Sequence, residues 1–163
     1  MIFILFISFV VLIRFAELIH SNRNEKWLLD NGAFEYGQKH YPFIVLLHIL
    51  FILSLIVEYT IMHPVTFSLL LMISYFLILG VKAWVIFTLG KYWNTKIYHI
   101  PDTPVIRKGF YQYFKHPNYL IVIIEVALIP SIFHLYYTAI IFSILNLIML
   151  SVRIKVENKV LMM

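Results

Sequence analysis

Chemistry in this chain concentrates between Arg107 and Leu120, which reads Arg-Lys-Gly-Phe-Tyr-Gln-Tyr-Phe-Lys-His-Pro-Asn-Tyr-Leu. Gly109 permits a turn, and proline suits a first helical position, so His116-Pro117 opens a helix. A helix N-terminus offers free N–H groups and a partial positive charge, which suits a carboxylate or phosphate. His116 and Tyr119 are three apart and can share a face or line a cleft. The same residues also fit an ordinary cap and an interfacial aromatic. Glu125 follows about two turns into an apolar run. An acid at that depth costs on the order of 2.5–3.5 kcal/mol on insertion scales, so it faces a partner or a cavity. Asn146 or Ser143 on the next helix is the structural partner expected for it. Arg153 and Glu157 stand at i and i+4 and share a face. They form either an exposed salt bridge, contributing roughly 0–1 kcal/mol, or a clamp at a pocket mouth. In the second case Glu157 would accept ribose hydroxyls and Arg153 would hold an anionic group through paired hydrogen bonds. The loop from Leu89 to Ile100 mixes aromatics with Lys91 and Lys96 and fits either a roof over a flat ligand or a membrane-surface belt.

The elements that must position these residues are membrane helices. Of 163 residues, 62% are hydrophobic and 13% charged, and mean hydropathy is +0.89. Soluble domains carry about 45–50% apolar and about 25% charged residues, so a soluble, disordered or nucleic-acid-binding chain is excluded. The length suits a single domain, residues 1–163. There is no cysteine, hence no disulfide frame or thiol nucleophile. No glycine-rich nucleotide loop appears. The seven histidines lack HxxxH or HExxH spacing, so no metal site is predicted.

A spanning helix needs roughly 20 apolar residues. Five candidates follow: Ile2–Ile19, Pro42–Ile61, Val65–Leu89, Asn118–Phe133 and Leu135–Val152. The first lacks a basic start and a small-residue cleavage site and reads as an uncleaved helix. The fourth is short, and Pro130 is expected to distort its end. The fold predicted is an all-α integral membrane bundle of about five transmembrane helices, the last two forming a hairpin. Arg14 and Glu17, one turn apart, are expected to pair at the end of the first helix. The turns at 62–64 and near 134 contain no Lys or Arg, whereas the 20–41 loop, the 90–116 loop and the tail after Val152 hold eleven of the thirteen. By the positive-inside rule the N-terminus is outside and those loops are cytoplasmic. The +5 charge thus reports orientation rather than nucleic-acid binding. The 20–41 loop, polar and aromatic, reads as an ordered surface element. No clear small-xxx-small seam marks a homodimer, which five short spans nonetheless allow.

The ordered pattern Gly109-x-Tyr111-x-x-x-Lys115-His116-Pro117-x-Tyr119, an apolar helix with Glu125, then Arg153-x-x-x-Glu157 resembles the isoprenylcysteine carboxyl methyltransferase family. The resemblance covers about residues 89–161. Asn24-Glu25-Lys26-Trp27, Glu35-Tyr36-Gly37 and His40-Tyr41-Pro42 resemble a bacterial branch linked to methylation of alkylpyrones. Three residues depart from the family pattern: Lys115 for an Arg, Ile121 for a Gly, and Asn158 for the second acid of a Glu-Glu pair.

The resemblance implies an enzyme that O-methylates a carboxyl or enol hydroxyl using S-adenosylmethionine. It implies that Tyr111, His116, Pro117, Tyr119 and Glu157 hold this cofactor on the cytoplasmic side of a bacterial membrane. Arg153 and Glu125 are then the expected catalytic pair, orienting the polar head of a lipophilic acceptor that enters between helices from the bilayer. A sulfonium carries its own leaving group, so the protein supplies position and electrostatics. A phospholipid N-methyltransferase and a non-enzymatic membrane subunit are the alternatives.

Overall fold

The computed structural model describes residues 1–101, 103–104 and 106–161. Five helices carry the fold: α1 (Ile2–Asp30), α2 (Tyr41–Met62), α3 (Leu69–Leu89), α4 (Pro117–Ile132) and α5 (Tyr136–Val160). Two short strands, β1 (Phe34–Tyr36) and β2 (Ile97–His99), pair antiparallel with Glu35 opposite Tyr98. α1, α2, α3 and α5 are long and apolar enough to cross a membrane; α4 is apolar but has 16 residues. At 1.5 Å per residue α4 is about 24 Å long, short of a roughly 30 Å hydrocarbon core. It is also the most enclosed helix, with Tyr119, Ile121, Val122, Glu125, Val126 and Ile129 all buried. α3 and α5 flank it.

Local sequence sets each boundary. α2 ends where His63 adopts a left-handed conformation (φ 44°) ahead of Pro64, since the residue before proline avoids the helical region. α3 therefore begins at Leu69 rather than Val65. Its cap is Ser68, whose Oγ accepts from the Leu71 N–H at 3.4 Å. Pro117 occupies the first turn of α4 after His116, as its type predicts. Pro130 does not end α4 at once: the helix runs to Ile132 and turns at His134, φ 59°. α5 has no side-chain cap of its own. Buried Glu58 of α2 supplies one, accepting the N–H groups of Tyr137 (3.1 Å) and Thr138 (2.7 Å). The α4–α5 hairpin forms as expected.

The largest departure from the expected layout lies in α1. The segment expected as a 20–41 loop is helical through Asp30, because no breaker intervenes before Asn31-Gly32. The polar end of α1 buries Ser21, Asn24 and Leu28 and becomes a strut for the site. At the opposite end the core is aromatic: Phe3 stacks on Tyr59 (centroids 3.7 Å apart) and meets Phe133 edge-on at 5.1 Å. The outer faces expose Leu12, Phe15, Ile49, Leu53, Leu77, Ile140 and Ile144. So much exposed apolar surface is tolerable only in lipid; this is an integral membrane protein.

Candidate functional site

Thr95 is the joint from which the site is built. Its hydroxyl lies 2.9 Å from Ser21 Oγ on α1 and 3.1 Å from Tyr41 OH on α2. Its carbonyl accepts from the Arg153 guanidinium on α5 at 2.6 Å. α1 also fixes the loop after α3. Asn24 Nδ2 donates to the carbonyls of Gly90 (3.1 Å) and Trp93 (2.7 Å), and Asn94 Nδ2 donates to the Ser21 carbonyl (2.9 Å). Beyond it, Lys96 and Tyr98 converge on Glu25 at 2.7 and 2.8 Å. The loop is thus strapped to α1 by hydrogen bonds, which is why it can wall a cavity.

Arg153 and Glu157 do not pair directly. Both meet Tyr119: Arg153 Nε donates to the phenol oxygen at 2.7 Å, and the phenol donates to Glu157. The guanidinium also lies over the Tyr119 ring, 5.2 Å from its centre. His116 also stacks on that ring (5.3 Å, 14°). Its Nδ1 is 3.5 Å from Glu157, and its Nε2 is 3.1 Å from Asn158 Oδ1. Partial burial disfavours the imidazolium, but the hydrogen bond and negative charge of Glu157 outweigh it and raise the His116 pKa. Burial first, then Glu157, pushes the Tyr111 phenol upward. Asn158, where the family pattern has an acid, holds the second ring nitrogen of His116.

Two cavities flank this cluster. The smaller, about 110 Å³, is lined by Tyr111, Lys115, His116, Pro117, Tyr119 and Glu157 together with Leu89, Tyr92 and residues of the Trp93–Tyr98 loop. The larger, about 400 Å³, runs between α1, α2, α4 and α5 and is mostly apolar, with Val11, Leu47, Ile52, Val122 and Met149 among its walls. Trp93, Asn118, Tyr119 and Arg153 line both. Two atoms of that shared wall, Trp93 Nε1 and Asn118 Oδ1, are buried without a hydrogen-bond partner among the described residues. Buried polar atoms are nearly always paired, so an orphaned donor and an orphaned acceptor in one wall mark a place for a ligand.

The structure therefore gathers Tyr111, His116, Pro117, Tyr119 and Glu157 around one cleft and puts Arg153 at its back wall. It does not bring Glu125 there. Glu125 sits outside the wall of either cavity and binds Arg14 Nη2 at 2.9 Å and Lys82 Nζ at 3.1 Å. The expected bond to Asn146 or Ser143 is not made, because two cations offer a buried carboxylate far more than an amide or a hydroxyl does. Arg14 and Glu17 do pair, at 3.1 Å, but inside this buried cluster, where Glu17 also meets Lys82. Sequence reasoning passed over Asn118, His48 and Lys82, and it marked Trp93 and Thr95 only as part of the Leu89–Ile100 loop. Lys82 carried a signal of its own, a cation inside an apolar span. Asn118 stands within the His-Pro-x-Tyr pattern.

The family model for the isoprenylcysteine carboxyl methyltransferase (ICMT) family matches residues 69–163. Uncharacterized protein YpbQ of Bacillus subtilis (strain 168) is 42% identical over 161 residues, 98% of this chain and 96% of its own length. An uncharacterized protein of Haemophilus influenzae is 33% identical over 153 residues, 91% of this chain and 88% of its own. No solved structure matches. The chain belongs to the isoprenylcysteine carboxyl methyltransferase family, and with it to the integral-membrane methyltransferases.

Proposed function

We propose that this family member uses S-adenosylmethionine, bound in the smaller cleft, to O-methylate a carboxylate or acidic enol of a lipophilic acceptor held in the larger cavity. The single observation that carries the reading is the shared wall. Trp93, Asn118, Tyr119 and Arg153 separate a polar cleft from a greasy cavity and belong to both. A water-soluble cofactor and a lipid can thus meet without either leaving its own medium.

The residues fit the cofactor. Glu157 offers acceptor oxygens for ribose hydroxyls, and Tyr111 and Tyr92 offer flat surfaces to a purine or a sulfonium. The orphaned Asn118 Oδ1 and the Asn118 N–H at the start of α4 fit an ammonium and a carboxylate, respectively. When bound, S-adenosylmethionine supplies an activated methyl group whose leaving group is already part of the molecule. The chain's own task is then placement. Arg153, fixed by Tyr119 and the Thr95 carbonyl, keeps further N–H groups for an anionic acceptor oxygen. A carboxylate or acidic enol needs no general base, so the lack of one at the wall is consistent with O-methylation. Glu125 acts at a distance, holding Arg14 and Lys82 in place. Acceptors such as an isoprenylcysteine-like carboxylate or an alkylpyrone suit the cavity.

The distribution of Lys and Arg supports an external N-terminus and a cytoplasmic cleft in a bacterial cell membrane. The test is calorimetric titration of detergent-purified protein with S-adenosylhomocysteine. Wild type should bind, and Glu157→Ala and His116→Ala should lose binding while remaining inserted and folded. Unchanged binding by both variants would overturn this site.

A further inference from the structure

Several polar residues inside the bundle stand in two tiers, and one spacing separates them on four of the helices. Ser21, Tyr41, Asn118 and Arg153 stand at the level of the wall. Seven residues from each, toward the membrane interior, come Arg14, His48, Glu125 and Asn146, and Lys82 of α3 joins this deep tier through Glu125. Hydrogen bonds confirm the levels: Thr95 joins Ser21, Tyr41 and Arg153 above, and Glu125 joins Arg14 and Lys82 below. Seven residues are two helical turns, so the tiers lie roughly 10 Å apart. The wall serves the proposed reaction. The deep tier has no part in it, yet Arg14, His48, Lys82 and Asn146 line the larger cavity.

Within the deep tier the charges are spoken for. Arg14, Lys82, Glu17 and Glu125 are two cations and two anions in mutual contact. What they leave over is neutral. Asn146 is 2% exposed, and its Nδ2 has no hydrogen-bond partner among the described residues. His48 Nδ1 lies 2.8 Å from the Ile44 carbonyl. A carbonyl only accepts, so that nitrogen carries the proton, and in the neutral ring Nε2 is an acceptor. No other hydrogen bond of His48 is made with the described residues. Asn146 on α5, with an unused donor, and His48 on the facing α2, with an unused acceptor, therefore line one apolar cavity. A hydroxyl both accepts and donates, so it is the neutral group matched to an amide donor and an imidazole acceptor.

We propose that the acceptor is held at two points: the oxygen to be methylated beside Arg153 and, roughly 10 Å deeper, a neutral hydroxyl between Asn146 and His48. The proposal rests on the methyltransferase reading above and narrows its substrate class to lipids with a second polar group part-way along the chain. A plain hydrocarbon tail would leave a buried donor unpaired, and specificity arises when a site built for a hydrogen bond rejects the analogue that lacks it.

The test uses protein in lipid nanodiscs, first titrated with S-adenosylhomocysteine and then, loaded with it, with three fatty acids. These are stearate, a hydroxystearate with its hydroxyl mid-chain, and one with its hydroxyl beside the carboxylate. The mid-chain probe should bind about tenfold tighter than the other two, the upper end of what one neutral hydrogen bond contributes. Asn146→Leu should erase that preference and keep S-adenosylhomocysteine binding. Equal affinities for the three acids, no affinity for any of them, or a preference that survives Asn146→Leu overturns this inference alone. Failure of folded wild type to bind S-adenosylhomocysteine overturns the methyltransferase reading, and this inference with it.

Discussion

The buried ion cluster gives the sharpest arithmetic. Lys82 and Glu125 side chains are 3% and 2% exposed, at 3.1 Å from each other. Arg14 contacts Glu125 and Glu17, and Lys82 contacts both acids as well. Glu125→Gln keeps the shape but leaves two cations facing one anion in a low-dielectric interior. Removing one partner of a buried pair costs about 3–5 kcal/mol, chiefly because the other charge is left uncompensated. For a chain of this size that corresponds to roughly 6–20 °C in melting temperature. Lys82→Met produces the mirror fault, two anions facing one cation, with a loss in the same range. The double variant keeps Arg14 against Glu17 and is balanced again. It should recover about 1–3 kcal/mol relative to the sum of the two single losses, the coupling usual for groups in one network. The assay is thermal unfolding in detergent followed by circular dichroism, at one scan rate for all four proteins because membrane proteins often unfold irreversibly. A double variant that loses as much as both singles together would refute charge balance as the reason the cluster exists. The stability of each single would then have to be explained by packing alone.

Three further outcomes are expected. Glu58→Ala strips two charge-assisted hydrogen bonds from the start of α5, so stability in the same melt should fall by about 1.5–3 kcal/mol for each bond. Tyr119→Phe removes the hydroxyl that joins Arg153 to Glu157. It should weaken S-adenosylhomocysteine binding about tenfold without lowering helix content, and unchanged affinity would show that the phenol is not what positions Glu157. The His116 pKa is raised by Glu157, so the contribution of that pair is complete below the ordinary imidazole value of about 6.5 and is lost as pH rises through the raised value. Wild-type melting temperature should decline over that window. His116→Gln should flatten the decline, and Asn158→Asp, which sets a second carboxylate near Nε2, should move it to higher pH.

What the sequence disclosed and what it withheld follow from one physical fact. A helix in lipid is apolar on the faces it buries and on the faces it exposes, so periodicity, which orients helices in soluble proteins, is nearly silent here. The spans and the α4–α5 hairpin were legible because total apolarity and turn residues sufficed for them. The cleft was legible because Tyr111, His116, Pro117 and Tyr119 are close in sequence and lie on one turn and the helix start that follows it. The partners of Glu125 were not, since they come from residues 14 and 82 and depend on how α1 and α3 are rotated about their axes. The helical end of α1 was hidden for a related reason: its polar residues looked solvent-facing until Ser21 and Asn24 proved to be anchors for the Trp93–Thr95 loop.

The polar residues left inside these apolar spans are therefore the part of the sequence that carries rotational information, and their spacing carries it in common. Arg14 with Ser21, Tyr41 with His48, Asn118 with Glu125 and Asn146 with Arg153 each repeat at seven, which on a helix keeps them on nearly one face. Four helices that each keep one polar face must turn those faces together, because none can be left in lipid. The shared interior that results holds the ion cluster around Glu125 and, beside it, the larger cavity. The argument has a checkable consequence. Moving one member off its face, for example by exchanging Asn146 with Leu147, places an amide in lipid and leucine in the cavity. This should reduce membrane-inserted, detergent-stable protein, whereas Asn146→Leu alone should not. Equal yields of the two variants would mean that the seven-residue spacing does not fix the rotation of α5.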